Sequence, residues 1–120
     1  MESGKGTELR ARVFEFACGV LELHRLIYRR EPSLRSASFQ AANAAGSVGA
    51  NLEEADAAQS RPDFISKCTI SLKEAREARY WLRILNRLLG GKRRIEPLVN
   101  EATEIVAILT TIVKKSKERS

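Results

Sequence analysis

Arg76, Arg79, Arg83 and Arg87 recur at three- and four-residue steps through the stretch "LKEAREARYWLRILNR", and Lys92, Arg93 and Arg94 follow a few residues later. On a helix turning 100° per residue, the four arginines fall within an arc of roughly 80°. A stripe of guanidinium groups is chemistry for phosphate, because each group offers a planar fork of donors that matches phosphate oxygens. Between Lys67 and Arg94 nine basic residues stand against only Glu74 and Glu77. The net charge of +6 is therefore concentrated in this stretch, and the rest of the chain is near neutral. Few aromatic residues accompany the arginines, which argues against base stacking and sequence-specific readout. The competing reading is a solvated face on which Glu74 and Glu77 supply local helix pairs.

The other reactive side chains point away from catalysis. Glu53, Glu54 and Asp56 cluster near the end of a helical stretch. The bland reading makes Asn51, Glu53, Glu54 and Glu74 a structural polar layer, with the acids facing basic residues of the third helix across a hairpin. Acid–base or cation chemistry at the same acids would need a cleft or a partner base. His24, the only histidine, has no acid at the spacing that di-iron bundles require and no nucleophile legible beside it. It reads as a surface or seam residue. Cys18 and Cys68 lack paired metal or disulfide spacing and read as small core residues. "LGGKRR" is a helix end followed by a basic turn, not a phosphate-cradling loop. No metal, cofactor or catalytic residue is expected, and the expectation is a non-enzymatic protein.

The elements that must position the arginines are helical. The chain has 120 residues, with 43% apolar, 30% charged, seven glycines and three prolines, which fits one all-α domain. That domain is expected over 7–117, with flexible ends at 1–6 and 118–120. Leu9, Val13, Phe16, Val20, Leu23 and Ile27 give the first helix a coiled-coil-like seam from a possible N-cap at Thr7 to about Arg30. Pro32 breaks it and leaves Ser33 able to cap a second helix, roughly 33–58, made of small residues. Gly46 and Gly49 within it each cost about 1 kcal/mol relative to alanine. Close approach of a neighbouring helix would offset that, and a kink is the alternative.

Ser60 caps the third helix, with Pro62 in its first turn and Asp63 three residues after the cap. Phe64, Cys68, Ser71, Ala75, Ala78, Leu82, Leu85 and Leu89 then hold one face until Gly90 and Gly91 end it. The fourth helix, about 95–117, carries Leu98, Ala102, Ile105, Leu109 and Ile112, and its closing lysines suit the helix dipole. Short turns between four such helices make an antiparallel up-down-up-down bundle the economical arrangement. No apolar run is long enough to span a membrane and no signal-peptide region opens the chain, so a cytoplasmic location is expected.

The third helix is apolar over roughly 200°, wider than the stripe of roughly 100° that a surface helix buries. Its extra border is Ile70, Trp81, Ile84 and Leu88. A second apolar face calls for a second partner, and self-association supplies one.

The stretch "SVGANLEEADAAQSRPDFISKCTISLKEAREARYWLRIL" resembles the signature of the bacterial four-helix-bundle family of 23S ribosomal RNA intervening-sequence proteins. The resemblance covers about residues 8–115. Its most specific parts are Asn51 with Glu53 and Glu54, then Asp63-Phe64-Ile65, Ser71-Leu72-Lys73-Glu74-Ala75 and Tyr80-Trp81-Leu82. It implies an antiparallel four-helix bundle that assembles into a homo-pentameric ring. A related branch comprises accessory proteins of diversity-generating retroelements, basic pentamers that work with a reverse transcriptase and its RNA. The functional expectation is binding of RNA or DNA, foremost structured RNA, through Arg76, Arg79, Arg83, Arg87, Lys92, Arg93 and Arg94. The alternative is a scaffold whose basic surface meets a reverse transcriptase or another acidic protein.

Overall fold

Leu9, Val13, Phe16, Val20, Leu23 and Ile27, the whole expected seam of the first helix, are buried. In the computed structural model, which describes residues 4–91 and 94–119, four α-helices carry the chain: α1 (Gly4–Arg30), α2 (Arg35–Asp56), α3 (Arg61–Leu89) and α4 (Glu96–Glu118). No strand occurs among the described residues. One apolar cluster draws on all four helices. Each helix buries residues at heptad spacing because only that periodicity keeps a helix's side chains on a single face over six or more turns.

Two helix starts differ from expectation. α1 begins at Gly4, so Thr7 lies inside the helix instead of capping it, and residues 4–6 of the expected flexible end are helical. Residues 1–3 and 120 lie outside the described residues. Ser33 does not cap α2. Pro32–Leu34 form a 3-10 turn, and the residue before α2 is Leu34, with no side-chain capping bond. Proline's fixed φ favours that tight turn directly after the break. Arg35 locks the corner instead: its guanidinium sits 4.2 Å from the Tyr28 ring centre and its Nε donates to the Tyr28 carbonyl at 2.6 Å. α2 ends at Asp56, two residues short of the expected boundary.

The other boundary signals behave as their chemistry demands. The Ser60 hydroxyl accepts from the Asp63 amide at 3.2 Å, and Gly90 ends α3 in the left-handed region at φ 56°. Ala41, Ala44, Ala45 and Ala55 line α2, whose contact with α3 is the most extensive in the bundle. Small side chains let the two axes approach. At their interface the buried Ser71 hydroxyl donates to the Val48 carbonyl at 2.8 Å.

The two helix-interior glycines of α2 differ in how near a neighbour stands. A Cβ at Gly49 would stand 3.4 Å from Val13 Cγ1, whereas one at Gly46 would meet nothing within 4 Å. Phe64, Leu98 and Ile112 are half-buried, with Val113 buried beside Ile112 at the end of α4. Cys68 is buried, but Cys18 is only half-buried because it stands about 180° around α1 from the seam centred on Leu9 and Ile27.

Candidate nucleic-acid interface

The α3 seam pins the helix rotation, and that rotation decides what the arginines face. With Ala75, Ala78, Leu82 and Leu85 inside, Arg76, Arg83 and Arg87 are exposed and Arg79 is half-buried. Leu72 belongs to the same angular sector one turn earlier and is buried, so the solvent-facing stripe starts at Arg76. None of the four arginines forms an ion pair among the described residues, and neither Glu74 nor Glu77 engages them. The local helix pairs of the bland reading are not formed. Arg94 is exposed beyond the turn, while Lys92 and Arg93 lie outside the described residues.

Along the other border of α3, Ile70 and Leu88 are exposed, at 38% and 61%, and Trp81 and Ile84 are half-buried with Trp81 packed on the core. Tyr80 adds to this surface. It is 56% exposed and meets the Trp81 ring edge-on at 5.6 Å between centres. Tyr80, Arg83, Ile84, Arg87 and Leu88 together line a shallow hollow in which apolar and cationic groups alternate. The outward face of α3 is thus both greasy and charged.

The expected polar layer is not built across the α2–α3 hairpin. Asn51 donates back to the Ser47 carbonyl of its own helix at 2.9 Å, and the acids turn toward α1. Arg10 pairs with Asp56 at 3.0 Å and lies 3.9 Å from Glu53. Glu54 and Glu74 form no ion pair among the described residues. The reason is rotational: a carboxylate at 53 and one at 56 point to the side of α2 that α1 occupies, and periodicity alone does not say which neighbour lies on which side. On the opposite side of α1, Arg12 grips Glu101 through two bonds of 2.6 and 2.8 Å and reaches Glu104 at 3.0 Å. Those hydrogen bonds, to Glu101 first, raise its already high pKa further.

His24 is half-buried, with its Nδ1 2.6 Å from the Ser38 hydroxyl. That hydroxyl donates to the Arg35 carbonyl at 3.2 Å, which leaves its lone pair for an Nδ1–H donor. The pair satisfies a buried serine and is structural. Among the described residues no group of three or more metal-ligating side chains occurs, and no helix is long and apolar enough to cross a membrane.

Two surfaces escape a seam-by-seam reading of α1. Leu21, with Phe39 of α2, is exposed along an apolar groove also lined by Gly46 and Ala50, and Phe14 is exposed seven residues before Leu21 on the same side of α1. The legible signal is the seven-residue recurrence of Phe14, Leu21 and Tyr28. Arg25 and Arg29, one turn apart, face a cleft shared with Arg94.

Four helices around one core, with a basic helix face beside an exposed apolar ridge, define a small all-α bundle protein. The family model described as 23S rRNA-intervening sequence protein matches residues 8–111, and the chain belongs to that family. Among solved structures, it is similar to a protein of unknown function from the S23 ribosomal protein family of Bacteroides thetaiotaomicron. The two share 37% sequence identity over 92% of this chain and 98% of that one, with a TM-score of 0.83. No curated protein matches the chain.

Proposed function

We propose that this chain is a non-enzymatic, cytoplasmic, homo-oligomeric bundle protein that binds structured RNA electrostatically, with DNA as a weaker competitor. The observation that carries the reading is the row of arginines on α3 without acidic partners among the described residues. A guanidinium already paired gains little from phosphate, whereas an unpaired one releases counterions when it binds. Arg76, Arg79, Arg83 and Arg87 carry the contact, and Lys92, Arg93 and Arg94 follow in the sequence with further positive charge.

An antiparallel up-down-up-down course is supported by Arg10–Asp56 with His24–Ser38 across α1 and α2, and by Arg12–Glu104 with Gly19–Leu98 across α1 and α4, where numbers rise along one helix as they fall along its neighbour. A pentameric ring is the assembly that the family resemblance implies, and the border of exposed Ile70 and Leu88 with half-buried Trp81 and Ile84 is the surface that supports subunit contact. A ring would repeat the stripe and turn a weak contact into avid binding.

Light scattering with and without cellular RNA, at low and high salt, tests the proposal. The oligomer is expected to gain RNA mass at low salt and lose it at high salt. Arg83→Glu with Arg87→Glu is expected to weaken RNA affinity roughly tenfold or more and to flatten its salt dependence by about two. Unchanged affinity and slope in a still-assembled variant would remove the stripe as the site. The mixed hollow at Tyr80 and Leu88 favours one second reading, a scaffold or accessory subunit for a reverse transcriptase or other protein. Capture of a partner that survives nuclease treatment would select it.

A further inference from the structure

We infer that a second phosphate site lies at the end of the bundle where α1 finishes and α4 begins, in a cleft between Arg25, Arg29 and Arg94 that receives a nucleic-acid backbone phosphate. The inference rests on the nucleic-acid reading above and extends it beyond α3.

Three arginines from two separate parts of the chain line this cleft. Arg25 and Arg29 stand one turn apart on α1, and Arg94 comes from the junction between α3 and α4. The floor is apolar and closely packed: a Cβ at Gly19 would lie 3.1 Å from Leu98 Cδ2. An apolar floor lowers the local dielectric and strengthens any charge contact made above it. Glu22 is the one acid lining the cleft, and no ion pair joins it to the arginines among the described residues. The cleft therefore keeps an excess of positive charge.

The placement of ion pairs sharpens the contrast. Those among the described residues all involve Arg10 and Arg12, toward the other end of α1, where acids of α2 and α4 neutralise them. At the Arg25 end no ion pair joins Arg25, Arg29 or Arg94 to an acid among the described residues. α3 delivers Arg87 in its last turn to this same end, so stripe and cleft bracket the turn that joins α3 to α4. A single polyanion can touch both, which favours a polynucleotide over a free phosphate.

Arg94 supplies an independent indication. Its φ of 51° makes it the one non-glycine residue in the left-handed region among the described residues. An L side chain is strained there, while asparagine or glycine is tolerated. Strain of this kind at a charged cleft points to a residue kept for contact and not for stability.

Fluorescence anisotropy with a labelled RNA hairpin tests the site on the full chain. Arg25→Gln with Arg29→Gln, both on the exposed face of α1, is expected to leave helicity unchanged, weaken binding roughly tenfold at about 50 mM salt and reduce the salt slope by about one to two. Arg94→Asn is expected to weaken binding severalfold while its melting temperature holds or rises, a combination that simple structural damage does not produce. If these variants bind like wild type while Arg83→Glu with Arg87→Glu does not, the cleft is no site and the nucleic-acid reading stands. Wild-type protein that ignores the hairpin at every salt concentration would overturn both. Calorimetry with pyrophosphate separates the sources: affinity equal to that for the hairpin would mark a small-anion site and overturn the backbone assignment.

Discussion

Cys68 shows how burial acts on one side chain. Removal from water pushes its thiol up to about 11 from an ordinary 9.0, since the thiolate loses hydration that nothing in the apolar core replaces. Between those values the unfolded chain has shed the thiol proton and the native chain retains it. The unfolded state then binds fewer protons, so stability falls as pH rises from about 9 to 11. Urea unfolding of wild type and Cys68→Ala from pH 8 upward should show wild type losing ground to the variant above pH 9. Parallel curves would mean that the thiol ionises as freely in the fold as outside it. The burial of Cys68 was legible from its place in the α3 seam, while the half-exposure of Cys18 follows from its angle to the α1 seam.

At the scale of the helix, α2 combines a buried alanine face with an exposed glycine. Gly46 has open space where a Cβ would stand, so its helix penalty of about 1 kcal/mol is not offset by packing within the chain. Gly46→Ala should raise the melting temperature by a few degrees, measured by circular dichroism in dilute protein. Gly49→Ala should also stabilise, because its new methyl group would meet Val13 Cγ1 at 3.4 Å, about van der Waals distance. A loss of stability at Gly46 would indicate that the helix needs glycine's backbone freedom there. The sequence marked both glycines as costly and could not separate them, since separation depends on which side of α2 faces α1.

For the whole molecule, the exposed ridge of α3 sets the question of assembly. Trp81 lies at its centre, half-buried against its own core and in edge-to-face contact with Tyr80. Trp81→Asp should leave most helicity intact while lowering oligomer order in light scattering, if subunits meet on this ridge. Wholesale unfolding would make Trp81 a residue of the monomer's core instead. Family membership and a solved relative at a TM-score of 0.83 establish the bundle.

Periodicity and local capping chemistry determined four helices, the buried seam of α1, most of that of α3, the Ser60 cap and the Gly90 stop, while Val48 and Leu52 of α2 and Val106 and Val113 of α4 came from the packing. The first set depends on local geometry and on which side chains avoid water, both of which a one-dimensional pattern encodes. Periodicity also placed Arg76, Arg83 and Arg87 on an exposed face, because the α3 seam fixes helix rotation. Tertiary structure decided the neighbours. Glu53 and Asp56 turned out to face Arg10 of α1 and not α3, and Arg25, Arg29 and Arg94 met across a cleft although more than sixty residues separate α1 from Arg94. Helix rotation can be read from spacing, but which helix stands beside which face depends on the turns and on core packing. Long-range pairs of charged residues leave no periodic trace.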